Sequence, residues 1–365
     1  MHSASTWRKK KVAAGYRERG MAVHSCKDAV LHERGEVLKG DGTPYRVYTP
    51  YSKAWHRLEK PAPLPRVRAI HTPKGIASLE PPTLATWNLP DPEADVIEPG
   101  ERAARDRMRA ALDGPLHRYS EDRDIPGGQT TSRLSQDLRL GLISIRELFA
   151  KADERARAAR TAEERKAFQT YINELAWREF YMQILYHFPE VLEHEFNADY
   201  RALKWSYDDD ALGRWKAGET GFPIVDAGMR QLRATGFMHN RVRMITAMFL
   251  TKDLHLDWRL GEEYFMQQLT DGEIASNNGG WQWSAGTGAD AAPYFRIQNP
   301  WSQTKRFDTH GDYIKAWVPE LKDVPAKKFL NPPEDGKPIA KGYPAPIVDH
   351  AEAREKTLAM FKAAK

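Results

Sequence analysis

The sequence predicts a mainly α-helical protein in which a mixed α/β segment and a long linker precede a large all-helical domain. From residue 100 onward, apolar residues recur at helical spacing and no alternating strand pattern is present. Nine prolines interrupt residues 61–100, where periodicity is absent. We therefore divide the chain into residues 1–60, residues 61–100 and residues 101–365.

The first segment combines helix and strand signals. Residues 7–20 predict a helix, and Met21–Ser25 predicts a short strand. A hairpin is indicated where residues 36–38 and 45–48 flank the turn sequence Gly40-Asp41-Gly42. So small a sheet fragment cannot close a hydrophobic core by itself.

The linker and the helical domain are distinguished by their local signals. A proline-rich stretch without periodicity runs extended over a surface, so the linker is predicted to lack regular structure. Capping boxes, in which a Ser or Thr precedes a Glu by three residues, predict helix starts at Ser144 and Thr161. The predicted helices include Glu101–Asp113 and residues 164–187, 223–235, 237–253 and 261–269.

The composition is that of an ordinary globular protein, with 41% hydrophobic and 29% charged residues. Cys26 is the single cysteine, which excludes an internal disulfide and fits a reducing compartment, so we expect a cytoplasmic protein. The 12 histidines include no H-E-x-x-H sequence, so no catalytic metal is expected. The net charge of +5 is compatible with nucleic-acid binding and equally with a basic enzyme that has no DNA role.

The helix around residue 175 carries the first functional signal. Glu174, Trp177, Arg178 and Tyr181 are spaced i, i+3, i+4 and i+7 and therefore share one helix face. A core face would be aliphatic, and a solvent face would carry less aromatic area. The face is interpreted as a cavity lining. The alternative is a surface stripe with an i,i+4 ion pair.

The predicted helix at residues 237–253 also combines charged or polar residues with apolar ones on one face. Asn240, Arg243, Met244 and Ala247 share a face, and Arg241 adjoins an apolar stretch. A buried arginine needs an anionic partner. That partner could be an aspartate of this protein, a cofactor phosphate or DNA.

A glycine-rich segment covers residues 271–296. Its five glycines and many small residues show no helical period, and glycine permits close backbone approach to a ligand. Trp281 and Trp283 would face the same way in an extended stretch. The alternative interpretation is a structural loop packed by its own aromatic residues.

Hydroxyl side chains cluster at Thr130, Thr131, Ser132 and Ser135, ahead of a short helical stretch. Hydroxyls and free backbone N–H groups at a helix start can bind an anion. Most such clusters are simple helix caps, and that alternative remains open here.

A family resemblance rests on five ordered stretches: Thr131–Ser135, NELAWREFY at 173–181, TGFPIVDAGMRQL at 220–232, MHNRVRMITAMFLTKDL at 238–254, and DGEIASNNGGWQWSAGTGADAAPYFRI at 271–297. Together they closely resemble DNA photolyases. The resemblance covers residues 25–58 and 100–365. It implies a large helical FAD-binding domain preceded by a remnant of an α/β, Rossmann-like antenna domain and the linker.

The resemblance also implies an activity. The helical domain would hold FAD in a U-shape, and the excited reduced flavin would pass an electron to a cyclobutane pyrimidine dimer flipped into the cavity. The partner would be double- or single-stranded DNA containing such a dimer. A monomer that acts as a deoxyribodipyrimidine photo-lyase, a carbon–carbon lyase, is expected.

Cofactor residues are carried over by position. Tyr119 and the run Thr131–Ser135 resemble contacts to the ribityl chain and phosphates, and Asn277 resembles the residue that faces flavin N5. The full expected set is Tyr119, Thr131, Ser132, Arg133, Leu134, Ser135, Tyr171, Arg178, Arg243, Asp271, Gly272, Glu273 and Asn277. Glu273 stands where the family usually has Asp.

Substrate and electron-transfer residues follow from the same resemblance. Glu174 would stabilise the dimer radical anion, and Trp281, Trp258 and Trp205 would carry electrons inward from the surface to the flavin. The expected catalytic set consists of Glu174, Asn277, Trp281, Trp258 and Trp205. The expected DNA contacts are Arg123, Glu174, Trp177, Tyr181, Asn240, Arg241, Met244, Trp283 and Arg296.

Two further expectations concern the subclass and the N-terminus. Asn240 and Met244 favour a class I, dimer-specific photolyase over enzymes for the other photoproduct, and Asn277 favours repair over signalling. On the order of a hundred residues of the antenna domain are expected to be missing, so we expect an N-terminally truncated member without a folate or deazaflavin antenna. A cryptochrome-like photoreceptor and an inactive truncated photolyase are the alternatives.

Overall fold

The computed structural model describes residues 11–24, 26–27, 29–65 and 67–364. Within these ranges the protein is mainly helical, and strand pairing is limited to two isolated bridges, Leu38 with Pro44 and Ser206 with Leu256. None of the helices described is long and apolar enough to cross a membrane. The predicted mainly helical fold class is confirmed.

The described residues contain fifteen α-helices. In chain order they are α1 (residues 11–18), α2 (Tyr48–Arg57), α3 (Glu101–Asp113), α4 (Tyr119–Asp122), α5 (Ser135–Leu140), α6 (Ile145–Ala158), α7 (Ala162–His187), α8 (Asp209–Ala217), α9 (Pro223–Thr235), α10 (Asn240–Met248), α11 (Trp258–Gln268), α12 (Ile274–Ala285), α13 (Pro300–Phe307), α14 (Asp312–Trp317) and α15 (His350–Ala363). A π-helical turn, Phe249–Asp253, continues α10.

Local capping explains where several predicted helices begin. The Thr161 hydroxyl accepts from the backbone N–H of Glu164 at 3.1 Å, so α7 begins two residues before its predicted start. The His239 ring accepts from the N–H of Arg241 at 3.2 Å, which places the start of α10 at Asn240 rather than residue 237. Asp257 caps α11 in the same way.

The predicted strand and hairpin in the first segment are wrong. Residues 21–24 have no regular structure, and Ser25 lies outside the described residues, as do residues 7–10 of the predicted helix. The hairpin is reduced to the single bridge between Leu38 and Pro44, and Tyr48 opens α2. An isolated hairpin is marginal in water, and no further strand in the described chain supports it.

The prediction that residues 271–296 lack helical structure is wrong for their first half, which forms α12. The Glu273 carboxylate accepts from the N–H groups of Ala275 and Ser276 and starts the helix. A Cβ on Gly279 would lie 2.0 Å from the Tyr181 ring, so its absence lets α12 pack closely on α7. Tertiary packing thus overrides the low helix propensity of glycine.

The two largest hydrophobic core clusters contain most of the buried apolar side chains. One joins α8–α14 with parts of their connections, and the other joins α3, α6 and α7 with buried side chains of the first segment. The linker contributes little to either, since Leu64 and Leu79 are 78% and 95% exposed. Residues 61–100 are mostly exposed, but Ala85–Trp87 forms a 3-10 helix where the sequence predicted no regular structure.

The first segment packs on α7 through buried polar contacts. The Glu179 carboxylate accepts from the N–H groups of Leu31 and His32, the latter at 3.2 Å, and from the Trp55 indole at 2.7 Å. Arg178 donates to the carbonyl of Ala29 at 2.6 Å. Residues 29–57 therefore share a core with the helical body. The domain boundaries at 60 and 100 stay predictions.

Candidate active site

A cavity of about 510 Å³ opens between the two core clusters and gathers most of the residues predicted from the sequence. It is lined from α4, α5, α7, α10, α11 and α12 and from the turn before α12. The predicted residues in its lining are Tyr119, Arg123, Ser132, Leu134, Ser135, Tyr171, Glu174, Trp177, Arg178, Tyr181, Asn240, Arg241, Arg243, Met244, Asp271, Gly272, Glu273, Asn277, Trp281 and Trp283.

Five predicted residues lie outside the lining. They are Thr131, Arg133, Trp205, Trp258 and Arg296. The Arg133 guanidinium lies 3.7 Å from the centre of the Phe237 ring, and its backbone has a left-handed φ of 52°. Arg296 is exposed, and its carbonyl accepts from the Lys252 amine at 3.1 Å.

Sequence reasoning missed several lining residues. They are Asp124, Leu138, Arg139, Leu175, Phe265, Leu269, Ser276, Gly280 and Ser284. Arg139 could have been found, because it lies four positions after Ser135 and therefore on the same face of α5. Asp124 carries a charge but no distinctive spacing, and the others are recognised only by their position.

One cluster of contacts joins α5, α10 and the turn before α12. Arg243 donates to both oxygens of Asp271, at 3.0 and 2.9 Å, and Ser135 donates to the same carboxylate at 2.6 Å. Arg139 donates to the carbonyl of Gly272. We call this group the polar cluster. It identifies an aspartate of the protein as the anionic partner that buried Arg243 requires.

A second cluster lies between α7 and the ends of α4 and α10. Arg123 pairs with Glu174, and Arg241 pairs with Asp124 at 2.8 Å. Burial raises the pKa of Glu174, and the Arg123 guanidinium opposes that rise. The Arg123 side chain is thus engaged inside the cavity. Its contact with a DNA phosphate stays a prediction.

The aromatic wall of the cavity is held from behind by the first segment. The Tyr48 ring stacks on Trp177 with ring centres 3.5 Å apart and planes 9° apart. The Tyr48 hydroxyl donates to the carbonyl of Asn173 at 2.8 Å. One face of Trp177 is therefore covered, and its other face is available to the cavity that it lines. No sequence pattern predicted this contact, because Tyr48 and Asn173 are 125 residues apart.

The start of α12 presents capping and amide groups. Both oxygens of Glu273 are used as the helix cap, and one also accepts from the Ser276 hydroxyl at 2.8 Å. The Asn277 amide donates to the backbone carbonyl of Glu262 at 2.9 Å, which leaves its side-chain oxygen available to the cavity. Burial raises the pKa of the nearby Glu262 to about 7.

Trp281 and Trp283 do not face the same way, contrary to the prediction. Two positions on a helix are separated by roughly 200° of rotation. Trp281 is buried against Phe265, with ring centres 4.9 Å apart, whereas Trp283 is half-buried at the cavity. The buried Trp281 indole N–H finds no acceptor among the described residues.

These features fit a large, flat ligand that carries phosphates. The two arginines of the polar cluster, Arg139 and Arg243, suit an anionic group, and the Trp281 indole is a donor without a partner in the described structure. A Cβ built on Gly280 meets nothing within 4 Å, so this glycine leaves the cavity floor open. In the described part of the chain, no group of His, Cys, Asp and Glu could hold a metal ion.

Comparison with known proteins identifies related sequences. Residues 171–363 match the family described as the FAD binding domain of DNA photolyase, and residues 1–68 match the family described as DNA photolyase. The deoxyribodipyrimidine photo-lyase of Halobacterium salinarum is 45% identical over 354 residues, which are 95% of this chain and 74% of the relative.

Solved structures show the same fold. A bacterial class III photolyase from Agrobacterium tumefaciens superposes with a TM-score of 0.90 at 39% identity, covering 98% of this chain and 76% of that one. A cryptochrome from Synechocystis superposes with a TM-score of 0.84 at 25% identity, covering 96% of this chain and 76% of that one.

Proposed function

The chain belongs to the DNA photolyase family, and on that premise we propose that it repairs cyclobutane pyrimidine dimers in DNA with light, using bound FAD. It is an FAD-dependent deoxyribodipyrimidine photo-lyase. The observation that carries the proposal is one cavity that joins the polar cluster to the aromatic, carboxylate-bearing face of α7. Such a cavity can hold a phosphorylated flavin beside a nucleobase.

The FAD supplies the light-absorbing, electron-donating chemistry. The protein supplies its binding and orientation, with Tyr119, Ser132 and Ser135 toward the ribityl chain and phosphates. Arg178, Arg243 and Asn277 would contact the flavin in this proposal, and the side-chain oxygen of Asn277 would be the group that faces N5. Arg243 is already oriented by Asp271, so it loses little side-chain entropy when the cofactor binds.

The protein also receives the damaged bases. In this proposal Trp177 and Trp283 stack on the dimer, and Asn240 and Met244 contact its other side. Glu174 donates a hydrogen bond to a dimer carbonyl, which the raised pKa of its carboxyl favours. Arg241 and Arg296 contact the DNA backbone. These roles rest on residue identity and, for every residue except the exposed Arg296, on cavity position.

The tryptophans Trp281, Trp258 and Trp205 form the proposed route for electrons from solvent. Trp281 and Trp258 are buried at 2% and 0% exposure, and Trp205 is half-buried. A Cβ on Gly261 would lie 2.1 Å from the Trp281 ring, and Gly261 follows Trp258 by three positions on α11. Trp258 and the Trp281 ring therefore lie along one face of that helix.

The subclass is proposed from a few residues. Asn240 and Met244 support class I, while the solved structure at 39% identity is a class III photolyase, so class I rests on these side chains alone. The proposed partner is DNA that contains a pyrimidine dimer, bound by a monomer. The 45% identity to a photolyase, against 25% to a cryptochrome, supports repair over signalling.

The test is repair of a dimer-containing oligonucleotide by the purified, flavin-loaded chain under blue light. We expect a flavin absorption spectrum that bleaches with light and a thiol reductant, followed by repair. Glu174→Leu, which removes the donor, should keep the flavin spectrum and lower the repair yield by roughly tenfold, because a hydrogen bond to a charged group such as the dimer radical anion contributes about 1.5–3 kcal/mol. A chain with fully reduced flavin that repairs no dimer would overturn the proposal.

A further inference from the structure

We propose that Glu195 is a positioning residue for electron transfer, which holds Trp258 and Trp205 and stabilises positive charge on them. The inference rests on the proposed function, because it concerns the route by which the flavin is reduced. Glu195 lies between α7 and α8 and is 4% exposed. It matches none of the residues predicted from the sequence.

One carboxylate oxygen accepts hydrogen bonds from both outer tryptophans. The indole N–H of Trp258 donates to Glu195 Oε1 at 3.1 Å, and that of Trp205 donates to the same oxygen at 3.3 Å. Both indoles therefore meet at one atom, and the carboxylate bridges the buried tryptophan and the half-buried one. Charge-assisted bonds of this kind also fix ring orientation.

The bridging carboxylate is ionised at neutral pH. Burial by itself raises the pKa of Glu195, but the Trp258 hydrogen bond and the Arg259 guanidinium outweigh it, so the pKa lies below its usual value. Arg259 donates to Glu195 Oε2 at 3.2 Å and to Asp257 at 3.0 Å. These are the charged groups packed against the bridge.

A negative charge is needed at this position because a cation already lies on Trp258. The Arg259 guanidinium is 4.6 Å from the Trp258 ring centre, and a positive charge there opposes removal of an electron from the ring. Glu195 and Asp257 offset that charge. With Glu195 at the indole N–H, oxidation of Trp258 and Trp205 becomes easier.

The electron steps balance along the chain. With FAD bound, Trp281 would give one electron to the light-excited flavin, Trp258 would then re-reduce Trp281, and Trp205 would re-reduce Trp258. A thiol in solution donates the final electron to Trp205. The indole protons of Trp258 and Trp205 stay on nitrogen, hydrogen-bonded to Glu195. Because the Glu195 carboxylate is negative, it favours positive charge on these two outer tryptophans over positive charge on Trp281.

Trp215 shows why the route favours Trp258. The Trp215 ring also contacts Trp281, with centres 6.0 Å apart, but its indole donates to the neutral backbone carbonyl of Thr246 at 3.2 Å. A carbonyl dipole stabilises a cation less than a full charge does. The carboxylate thus distinguishes Trp258, which shares a face of α11 with the Gly261 position that the Trp281 ring covers, from Trp215.

The test variant is Glu195→Gln, which keeps the shape of the side chain and removes its charge. In the flavin-loaded protein kept dark, we expect the indole N–H resonances of 15N-labelled Trp258 and Trp205 to shift, while that of Trp215 stays. Under blue light with a thiol, the yield of flavin reduction should fall by roughly tenfold, as for a loss of about 1.4 kcal/mol. Transient absorption should show a shorter-lived tryptophan radical.

Controls separate this role from a structural one. Glu193→Gln changes an exposed residue that contacts Arg259 through its backbone carbonyl, and it should behave as wild type. Glu195→Asp should restore part of the photoreduction yield. Repair by chemically reduced flavin should stay within about twofold in all three variants, since that reaction bypasses the tryptophans.

The outcomes distinguish this inference from the proposed function. If Trp258→Phe abolishes photoreduction but Glu195→Gln reduces flavin as well as wild type does, the inference is overturned alone. The inference is also overturned if Trp215→Phe lowers the yield of flavin photoreduction as much as Trp258→Phe does. A wild-type chain that binds flavin and shows neither photoreduction nor repair overturns the proposed function with it.

Discussion

At the scale of single residues, the cavity is built from charges and rings that are already paired. Arg243 pairs with Asp271, Arg123 with Glu174, and the Trp177 ring with Tyr48. Pairing holds each side chain in one rotamer, which lowers the entropy that ligand binding must overcome. Preorganisation of the cavity therefore depends on residues that do not all line it.

The stack on Trp177 is expected to matter for the damaged DNA. Tyr48→Leu removes the ring behind Trp177, so the affinity for a dimer-containing oligonucleotide should fall by roughly 3- to 10-fold, as for an aromatic pair of about 0.5–1.5 kcal/mol. Tyr48→Phe keeps the ring and should stay within about twofold. Fluorescence anisotropy measures the affinity. Unchanged binding by the Leu variant, with flavin bound, would contradict the expectation.

Glu262 should make stability depend on pH. Burial raises the pKa of its carboxyl to about 7 in the folded chain, so the folded state holds this proton more tightly than the unfolded state does. The stabilisation is therefore full at low pH and is lost as the pH rises from about 4.5 to about 7.

Glu262→Gln should remove this pH-dependent contribution, which is at most roughly 3 kcal/mol. The measurement is the free energy of unfolding in urea at pH 5 and pH 8, for the variant and wild type. The stability lost between the two pH values should be smaller in the variant. An equal loss in both proteins would show that the carboxyl titrates normally.

At the scale of elements, close packing rather than propensity makes α12 a helix. Its sequence contains adjacent glycines, Gly279 and Gly280, which disfavour a helix by about 1 kcal/mol each relative to Ala. Gly279 lets the Tyr181 ring approach the backbone, and the Glu273 cap fixes where the helix begins. The helix thereby carries Asn277 and Trp281 to the cavity.

The two glycines make a matched pair for a test. Gly279→Ala places a Cβ within 2.0 Å of the Tyr181 ring and should lower the free energy of unfolding by roughly 1–3 kcal/mol through overpacking. Gly280→Ala meets no atom within 4 Å and should be neutral or stabilising by up to about 1 kcal/mol. The measurement is the melting temperature of each variant, compared with that of the wild type. Equal melting temperatures would mean that α12 and α7 are not closely packed.

At the scale of the whole molecule, the cavity lies where two core clusters meet, and the first segment belongs to one of them. Leu31, Val37, Tyr51 and Trp55 are buried in the same cluster as α7. Glu179 ties this segment down through three hydrogen bonds. We therefore expect residues 29–57 and the helical body to unfold together.

Glu179→Ala tests this coupling. Removing the carboxylate leaves buried N–H donors without partners, so the free energy of unfolding should fall by roughly 3 kcal/mol. Glu163→Ala, an exposed position at the start of the same helix, should cost less than about 1 kcal/mol. Circular dichroism follows the helices, and the indole N–H resonance of Trp55 in 15N-labelled protein follows the first segment. Separate transitions in wild type would show that the segment folds independently.

The sequence by itself determined the mainly helical class and several helix starts, and its resemblance to photolyases named most of the residues that line the cavity. Helix periodicity and caps involve residues within four positions of one another, so they can be recognised in the chain. Glu101–Asp113 and Pro223–Thr235 were predicted with their observed bounds for this reason.

Only the tertiary structure decided which side chains pair across the fold. Tyr48 meets Asn173 over a separation of 125 residues, and Trp258 meets Glu195 over 63. The helical state of α12 and the loss of the expected hairpin were also decided there. In each case the deciding energy comes from packing against residues distant in sequence, and no local pattern in the chain specifies those neighbours.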